Sequence, residues 1–431
     1  MTLLLDFLYL LAGLAMTPTV VYRMAKHKRY HTGWSERFGA VARKDPQKKC
    51  IWLHAVSVGE VNAANSLVKE LEKKFPHFEI IITTTTDTGF ARANAIFAPR
   101  LQVFYFPFDI SWIISRAFSR IQPSLCLLME LEVWPNFVRT AAKRNVPVVV
   151  VNGRISEKSF RAYRLLKPVI RRIFENVTLI LAQTDQYAQR FAQIGCPADR
   201  VIITGSLKYD TAQIQDKVEG SDELAAELNI KNEKLFVAGG TGNDEEKIII
   251  DAYRQLQQHD RFKDLRLVIV PRKPERFNEV AQLIQQAGFG LIRYSKVKQQ
   301  QTPHKTDHRT IILGDTMGDL RKFYSLAAVI FVGRSLVPMG GSDMAEAAAL
   351  GKCTIFGPHT SNFKQTVDAL LADKGAIRVT DKNALLEAVQ KCLTEPSFAA
   401  ATAQAGREVI RKNQGATART IDQIEKFLNP T

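Results

Sequence analysis

From Cys50 onward the sequence alternates short apolar runs with longer stretches of helical period, and this alternation restricts the chain more than any other feature. Apolar runs fall at 51–53, 79–82, 102–106, 125–129, 146–151, 178–182 and 201–203, with helical patterns at 61–74, 89–97, 111–121 and 136–144 between them. After a polar stretch at 211–232 the pattern restarts, with runs at 234–238, 265–270, 289–293, 310–313, 328–332 and 353–356. Helical patterns at 244–258, 275–287, 318–326 and 343–350 separate most of these. Strands that alternate with helices need crossover connections, and crossovers give parallel sheets covered on both faces. The expectation is an α/β chain with two Rossmann-like domains facing across a cleft, at 23–210 and 233–400, joined by a linker at 211–232. Residues 401–431 are helical, and we expect them to pack back toward the first domain.

Ahead of this lies a nearly continuous apolar run at 3–22, interrupted by Asp6 and Pro18. A membrane span needs about 20 apolar residues. The run therefore predicts an N-terminal hydrophobic membrane helix, an anchor over residues 1–22. Arg23, Lys26, Lys28 and Arg29 follow it. Basic residues on that flank place the remaining chain on the cytoplasmic side of that membrane. A helix lying in the membrane interface and a buried helix of the first domain are the alternatives.

The net charge of +16 calls for an anionic partner. No compact nucleic-acid motif is present, so anionic membrane lipids and phosphorylated substrates lead over nucleic acid. The five cysteines are scattered and the histidines form no ligand pair, which argues against a disulfide framework and predicts no metal. We expect no cofactor.

Candidate chemistry sits at the strand ends. The stretch I-W-L-H-A-V-S-V-G-E runs from a buried strand to Glu60 at a helix start, where α/β proteins place their ligands. Glu60 is also what a helix N-terminus favours for its charge alone. Thr86 and Gly89 close a Thr-rich strand end. Glu130 and Glu132 follow the next strand, one of them a candidate cleft carboxylate; Glu132 alternatively caps the helix that starts near Pro135. Arg154 follows another strand, and Arg161, Arg164, Lys167 and Arg171 share a helical face that suits phosphates or simply solvent. In the second half, Lys208, the glycine-rich 239–246, Arg272, Met317, Gly341, Asp343 and Glu346 all fall at strand-end turns. A carboxylate such as Glu346 suits a ribose diol, and Arg272 a phosphate. The glycine-rich stretch lacks a complete dinucleotide or P-loop motif.

The blocks W-L-H-A-V-S-V-G-E, E-L-E-V-W-P-N, N-G-R-I-S-E-K-S-F, P-R-K-P-E-R-F, G-D-T-M-G-D-L and G-P-H-T-S-N-F, in this order, resemble the 3-deoxy-D-manno-octulosonic acid (Kdo) transferases of Gram-negative bacteria. The resemblance runs from the N-terminus to roughly residue 390. It implies a GT-B glycosyltransferase fold and inverting transfer of Kdo from CMP-Kdo to the lipid A precursor at the inner (cytoplasmic) membrane, with the catalytic domains on its cytoplasmic face. It also implies Glu60 as general base and Glu130 as a carboxylate holding sugar or acceptor, with Arg154, Thr86 and Gly89 on the acceptor side. Lys208, Arg272, Met317, Gly341, Asp343 and Glu346 would contact the donor. Where the family reads G-G-H-N-x-x-E-P, this chain reads G-G-S-D-M-A-E-A, so the donor side has drifted while the base block is intact. A GT-B enzyme with another nucleotide-sugar donor and a non-catalytic lipid A binder are the two alternatives.

Overall fold

The computed structural model describes residues 2–27, 32–299 and 309–429. Lys28 and Arg29 of the basic flank, and most of the polar loop at 297–309, lie outside them. The described chain forms two compact units, one of residues 1–211 and 413–431, the other of 212–412.

The first unit is built on seven parallel strands, β1 (Lys49–His54), β2 (Phe78–Thr84), β3 (Gln102–Tyr105), β4 (Leu125–Met129), β5 (Val148–Gly153), β6 (Leu179–Ala182) and β7 (Val201–Ile203). Their spatial order is β3-β2-β1-β4-β5-β6-β7. The chain runs outward from β1 to β3, then crosses to β4 and runs outward the other way. The order reverses between β1 and β4, and the crevice beyond the carboxyl ends of those two strands is where such sheets bind ligands.

Both faces of β1 are buried, which is why it reads as an unbroken apolar run. Trp52 fills one face against Phe118 and Phe137, at ring-centroid distances of 5.3 and 4.9 Å, and its indole N–H donates to Thr83 Oγ1 at 2.9 Å. Ile51 and Leu53 fill the other face, with Leu67 and Leu71 of the helix Val58–Lys74 and with Ile421 and Ile424 of the last helix, Ala416–Leu428. The carboxyl-terminal helix is thus part of the first unit's core.

The second unit holds β8 (Lys234–Thr241), β9 (Leu265–Pro271), β10 (Gly290–Arg293), β11 (Thr310–Leu313), β12 (Ala327–Val332), β13 (Cys353–Phe356) and β14 (Ile377–Arg378), all parallel, in the order β10-β11-β9-β8-β12-β13-β14. Here the order reverses between β8 and β12. The two-residue strand β14 is too short to leave a sequence signal. Residues 212–233 belong to this unit: the Val218 N–H donates to Ser325 Oγ, and Tyr294 donates to Glu227.

The membrane anchor is corrected. Residues Thr2–His27 form one helix, but among the described residues no helix is long and apolar enough to cross a membrane. The inner-membrane placement, which rested on that anchor, falls with it. The physical reason is the polar content of the run. Twenty-six residues span about 39 Å at 1.5 Å per residue, so length suffices; Asp6, Thr17, Pro18 and Thr19 dilute the apolar character. Asp6 also has bonding partners in the folded chain. Its carboxylate accepts from the Ser111 N–H at 2.9 Å and hydroxyl at 2.5 Å, and from Asn136 Nδ2 at 2.9 Å. These bonds tie the helix to the starts of the helices Ser111–Ile121 and Pro135–Lys143.

The cap of the helix Pro135–Lys143 is likewise not Glu132. Asp109 supplies it from another segment, accepting from the Asn136 and Phe137 N–H groups at 2.9 and 2.8 Å. Burial, with Asp6 close by, pushes the Asp109 carboxyl up to about 7.

Candidate active site

Ser57 caps the helix Val58–Lys74, accepting the Glu60 N–H on its hydroxyl, while the same hydroxyl donates to Glu60 Oε1 at 2.8 Å. This reciprocal Ser-x-x-Glu arrangement is a capping box. The second carboxylate oxygen, Oε2, accepts from the Val56 N–H at 2.9 Å. Glu60 is held at the carboxyl end of β1, at the reversal point of the sheet, in one orientation. Its carboxyl is raised above the usual carboxylate range: burial is the main cause, the Val56 and Ser57 bonds oppose it, and Glu130 adds like charge. The helix-cap reading and the base reading of Glu60 are therefore compatible, because the cap aims the side chain and leaves its basicity high.

The other wall of this crevice is the turn after β4. Glu130 takes a left-handed backbone, φ 53°, as does Asn152 at φ 55° on the neighbouring strand end. Non-glycine residues held there cost of order 1–3 kcal/mol and cluster at functional sites. The strain is held by tertiary bonds: the Glu130 N–H donates to the Val151 carbonyl, and Asn152 Oδ1 accepts the Leu207 N–H. Glu130 lies 3.8 Å from both Arg154 and Lys208. The Asn152–Leu207 bond thus sets the helix start that carries Lys208. Lys208 and Arg154 are brought to Glu130, in the first unit, whereas Arg272 lies in the second.

Glu132 joins the group. Burial first, then the Glu60 carboxylate, raises it to about 7. Its nearness to Glu60 was invisible in the sequence, where they lie on different strand ends.

Thr86 and Gly89 support the crevice from β2. Thr86 caps the helix Asp87–Phe97 by accepting the Gly89 N–H, and its hydroxyl donates to the Val56 carbonyl at 2.8 Å. A Cβ on Gly89 would stand 2.6 Å from that carbonyl oxygen. Both residues thereby hold Val56, whose N–H holds Glu60. The basic stripe is broken: its helices end and restart at Leu166, and Arg161 and Arg171 pair within their own helices to Glu157 and Glu175.

In the second unit the reversal point is closed by an acid the sequence offered only as part of a phosphate cradle. Glu245 is fully buried, and its carboxylate accepts from the N–H groups of Gly242, Arg334, Ser335 and Leu336. It ties the end of β8 to the loop after β12. Glu246 beside it accepts the Thr241 hydroxyl and a two-pronged pair from Arg276, at 2.6 and 3.1 Å. These acids fill the first turn of the helix Glu245–Leu256 with protein carboxylates.

The remaining residues expected to contact the donor fall after β9, β11 and β12. Arg272 is exposed after β9, and Met317 is exposed in the turn after β11. Gly341 has φ 84°, and Asp343 caps the helix Met344–Ala349 through the Ala345 N–H. Glu346 in that helix is pushed up by burial and by Asp343, and pulled back by Arg321 and Arg272. The structure therefore gathers Arg272, Asp343 and Glu346 and adds Arg321, which no motif signalled. Ser342, which stands where the family block has His, donates to the Gly240 carbonyl at 2.8 Å.

Comparison with known proteins identifies the chain. The family model for 3-deoxy-D-manno-octulosonic-acid transferase (kdotransferase) matches residues 32–211. The chain is 35% identical to the 3-deoxy-D-manno-octulosonic acid transferase of Haemophilus influenzae over 94% of its own length and 93% of the relative's. To the enzyme of the same name from Bordetella pertussis it is 33% identical, covering 97% and 99%. Among solved structures, a putative UDP-N-acetylglucosamine 2-epimerase from Listeria monocytogenes superposes with a TM-score of 0.57 at 14% identity, over 89% of this chain and 98% of that one, a likeness of fold alone. With a matching family model and 35% and 33% identity over 94% and 97% of its length, the chain belongs to the 3-deoxy-D-manno-octulosonic acid transferase family and is a glycosyltransferase that transfers Kdo.

Proposed function

We propose that the reaction is inverting transfer of Kdo from CMP-Kdo to a hydroxyl of a lipid A precursor, with Glu60 as general base. The observation that carries the assignment is the orientation of Glu60 by Val56 and Ser57 at the reversal point of the sheet, with its basicity raised by burial. A base needs a proton affinity near the working pH, and a carboxyl lifted out of its usual range moves toward that condition. Glu60 takes the proton of the acceptor hydroxyl while its oxygen forms the bond to the anomeric carbon. The bond from that carbon to the CMP phosphate breaks, and the phosphate keeps the electron pair. Lys208 and Arg154, beside Glu130, are the cations available to the Kdo carboxylate. Arg272 supplies charge to the phosphate, and Glu346, with Asp343 and Gly341 beside it, accepts hydrogen bonds from the ribose; the Met317 turn lies against the base. Stabilising charge as it develops on the leaving group is the main electrostatic contribution such a site makes.

The test is mass spectrometry of a lipid A precursor after incubation with CMP-Kdo. The expected product carries added Kdo, formed with one CMP per sugar. Stronger competition by UDP than by CMP would show that the donor carries another nucleotide.

A further inference from the structure

Glu346 differs from Glu245 and Glu246 in what holds it. Those two are taken up by backbone N–H groups, by Thr241 and by Arg276. No donor among the described residues bonds the Glu346 carboxylate, and its surroundings act on it through charge. Burial and the Asp343 carboxylate favour its neutral form; Arg321 and Arg272 favour the charged one. Asp343 stands where the family block reads Asn, so this second acid is a departure of this chain. Two close carboxylates do not both ionise readily without a cation beside them.

The fold supplies such a cation from the helix Leu320–Leu326, which packs on the helix Met344–Ala349 that carries Glu346. Tyr324, one turn after Arg321, is buried there. Burial first, then the charges of Glu346 and Asp343, hold its phenol above the usual range, so this helix meets the acids. The Arg321 guanidinium is fixed by Gln213, donating to its side-chain oxygen at 2.6 Å and to its carbonyl at 3.2 Å. The segment that carries Gln213 is held in turn by Arg407, which donates to Asp216 at 2.6 Å, to the Gln215 carbonyl at 3.2 Å and to the Leu350 carbonyl, at the end of the Glu346 helix, at 2.9 Å. Arg272 is the cation proposed above for the donor phosphate. Arg321 is bonded only to neutral oxygens, which leaves its charge to the acids.

We infer that Arg321 is a positioning residue for donor recognition: held by Gln213 beside the Glu346 and Asp343 acids, it is the fixed counter-charge that lets Glu346 accept hydrogen bonds from the donor's ribose. The inference rests on the function proposed above.

The test measures calorimetric binding of CMP and of 2′,3′-dideoxy-CMP to the full chain. The two share base and phosphate and differ in the ribose diol, so any lost attraction to the phosphate cancels in the ratio of their Kd values. In the wild type CMP is expected to bind at least about tenfold more tightly, the size of one hydrogen bond to a charged group. In Arg321→Met the carboxyl loses a counter-charge and ionises at higher pH. The ratio is then expected to fall toward one at neutral pH and to recover as the pH is raised by about one unit or more. Gln213→Ala, at an exposed position, frees the guanidinium without removing it, and is expected to lower the ratio part of the way. Arg321→Met combined with Asp343→Asn removes one charge of each sign while Asn keeps the helix cap, and is expected to restore the ratio. A merely structural role for Arg321 gives neither the pH recovery nor this rescue. Thermal unfolding checks that each variant folds. A wild-type ratio kept at every pH in whichever of Arg321→Met and Gln213→Ala folds overturns the inference, as does a double variant no better than Arg321→Met alone. A wild type that does not distinguish the two nucleotides shows that Glu346 does not hold the ribose, and one that binds neither removes the proposed donor. Both take the inference with them, and the wild-type measurement alone tells them apart from its own failure.

Discussion

Glu60→Gln separates the two roles of this side chain. As a carboxylate, Glu60 accepts from the Ser57 hydroxyl at 2.8 Å and from the Val56 N–H at 2.9 Å. Gln has nearly the same shape and keeps one acceptor oxygen, so one of these bonds survives. The other reverses, the amide NH2 donating to the Ser57 hydroxyl oxygen, and both lose the charge assistance that brings such a bond to about 1.5–3 kcal/mol. That loss is offset in part because the buried charge disappears, and burial is the main cause of the raised Glu60 carboxyl. The net change in stability is expected to be about 1 kcal/mol, the size of an ordinary cap substitution. The rate should respond far more. General base catalysis contributes about 10²–10⁴-fold, or about 3–5.5 kcal/mol of barrier. The assay is kcat for Kdo transfer at saturating acceptor and donor, beside urea unfolding of the same preparation. Glu60→Ala serves as control: it removes both bonds that the carboxylate accepts and leaves only the Ser57 cap on the residue-60 N–H, so stability drops further while the rate loss stays similar. A Glu60→Gln enzyme that keeps more than about a tenth of the wild-type kcat refutes the base assignment, since general base catalysis typically contributes at least about 10²-fold.

Glu130→Gln removes the like charge that helps raise Glu60. Glu60 works as a carboxylate, so activity falls as pH drops through its raised value, and the acidic limb of the kcat/KM profile is expected to move to lower pH in the variant; a shift to higher pH contradicts the electrostatic account. Glu245→Gln turns an amide donor toward two of four backbone N–H groups. Losing two charge-assisted bonds costs about 3–6 kcal/mol, a large share of the roughly 5–15 kcal/mol that holds a domain together. Urea unfolding followed by hydrogen exchange in β8 and β12 should register it, and a loss under about 1 kcal/mol refutes the assigned bonding. Gly89→Ala forces a Cβ to within 2.6 Å of the Val56 carbonyl oxygen. It is expected to lower the thermal midpoint, by about 1–3 kcal/mol of stability, and to lower kcat because Val56 orients Glu60; wild-type kcat in this variant shows that Val56 does not set the base.

Much of the architecture is local information. A strand buried on both faces must be apolar throughout and a crossover helix must show its own period, so Ile51–Leu53 and the helix that follows were legible as pattern. The alternation implied parallel sheets, and the strand-end positions of Glu60, Glu130, Arg272 and Glu346 could be read directly. Family blocks, as short contiguous strings, were equally visible.

Tertiary structure decided everything that depends on which strand ends meet. Strand order brings β1 beside β4, and only that places Glu132 close enough to Glu60 to raise it. The same holds for Lys208 beside Glu130, for Arg321 near Glu346, and for Cys353 and Cys392, free thiols whose sulfurs lie 3.2 Å apart although the sequence separates them. Long-range bonding also decided what two local stretches do. The cap of the helix Pro135–Lys143 comes from Asp109, and the carboxylates of the glycine-rich turn hold backbone and Arg276. The first helix is the clearest case. Sequence alone determined its length and apolar bias, because helix propensity and hydropathy are properties of neighbouring residues. What Asp6 does there depends on Ser111 and Asn136, more than a hundred positions away, and only the folded chain brings them to hydrogen-bonding distance.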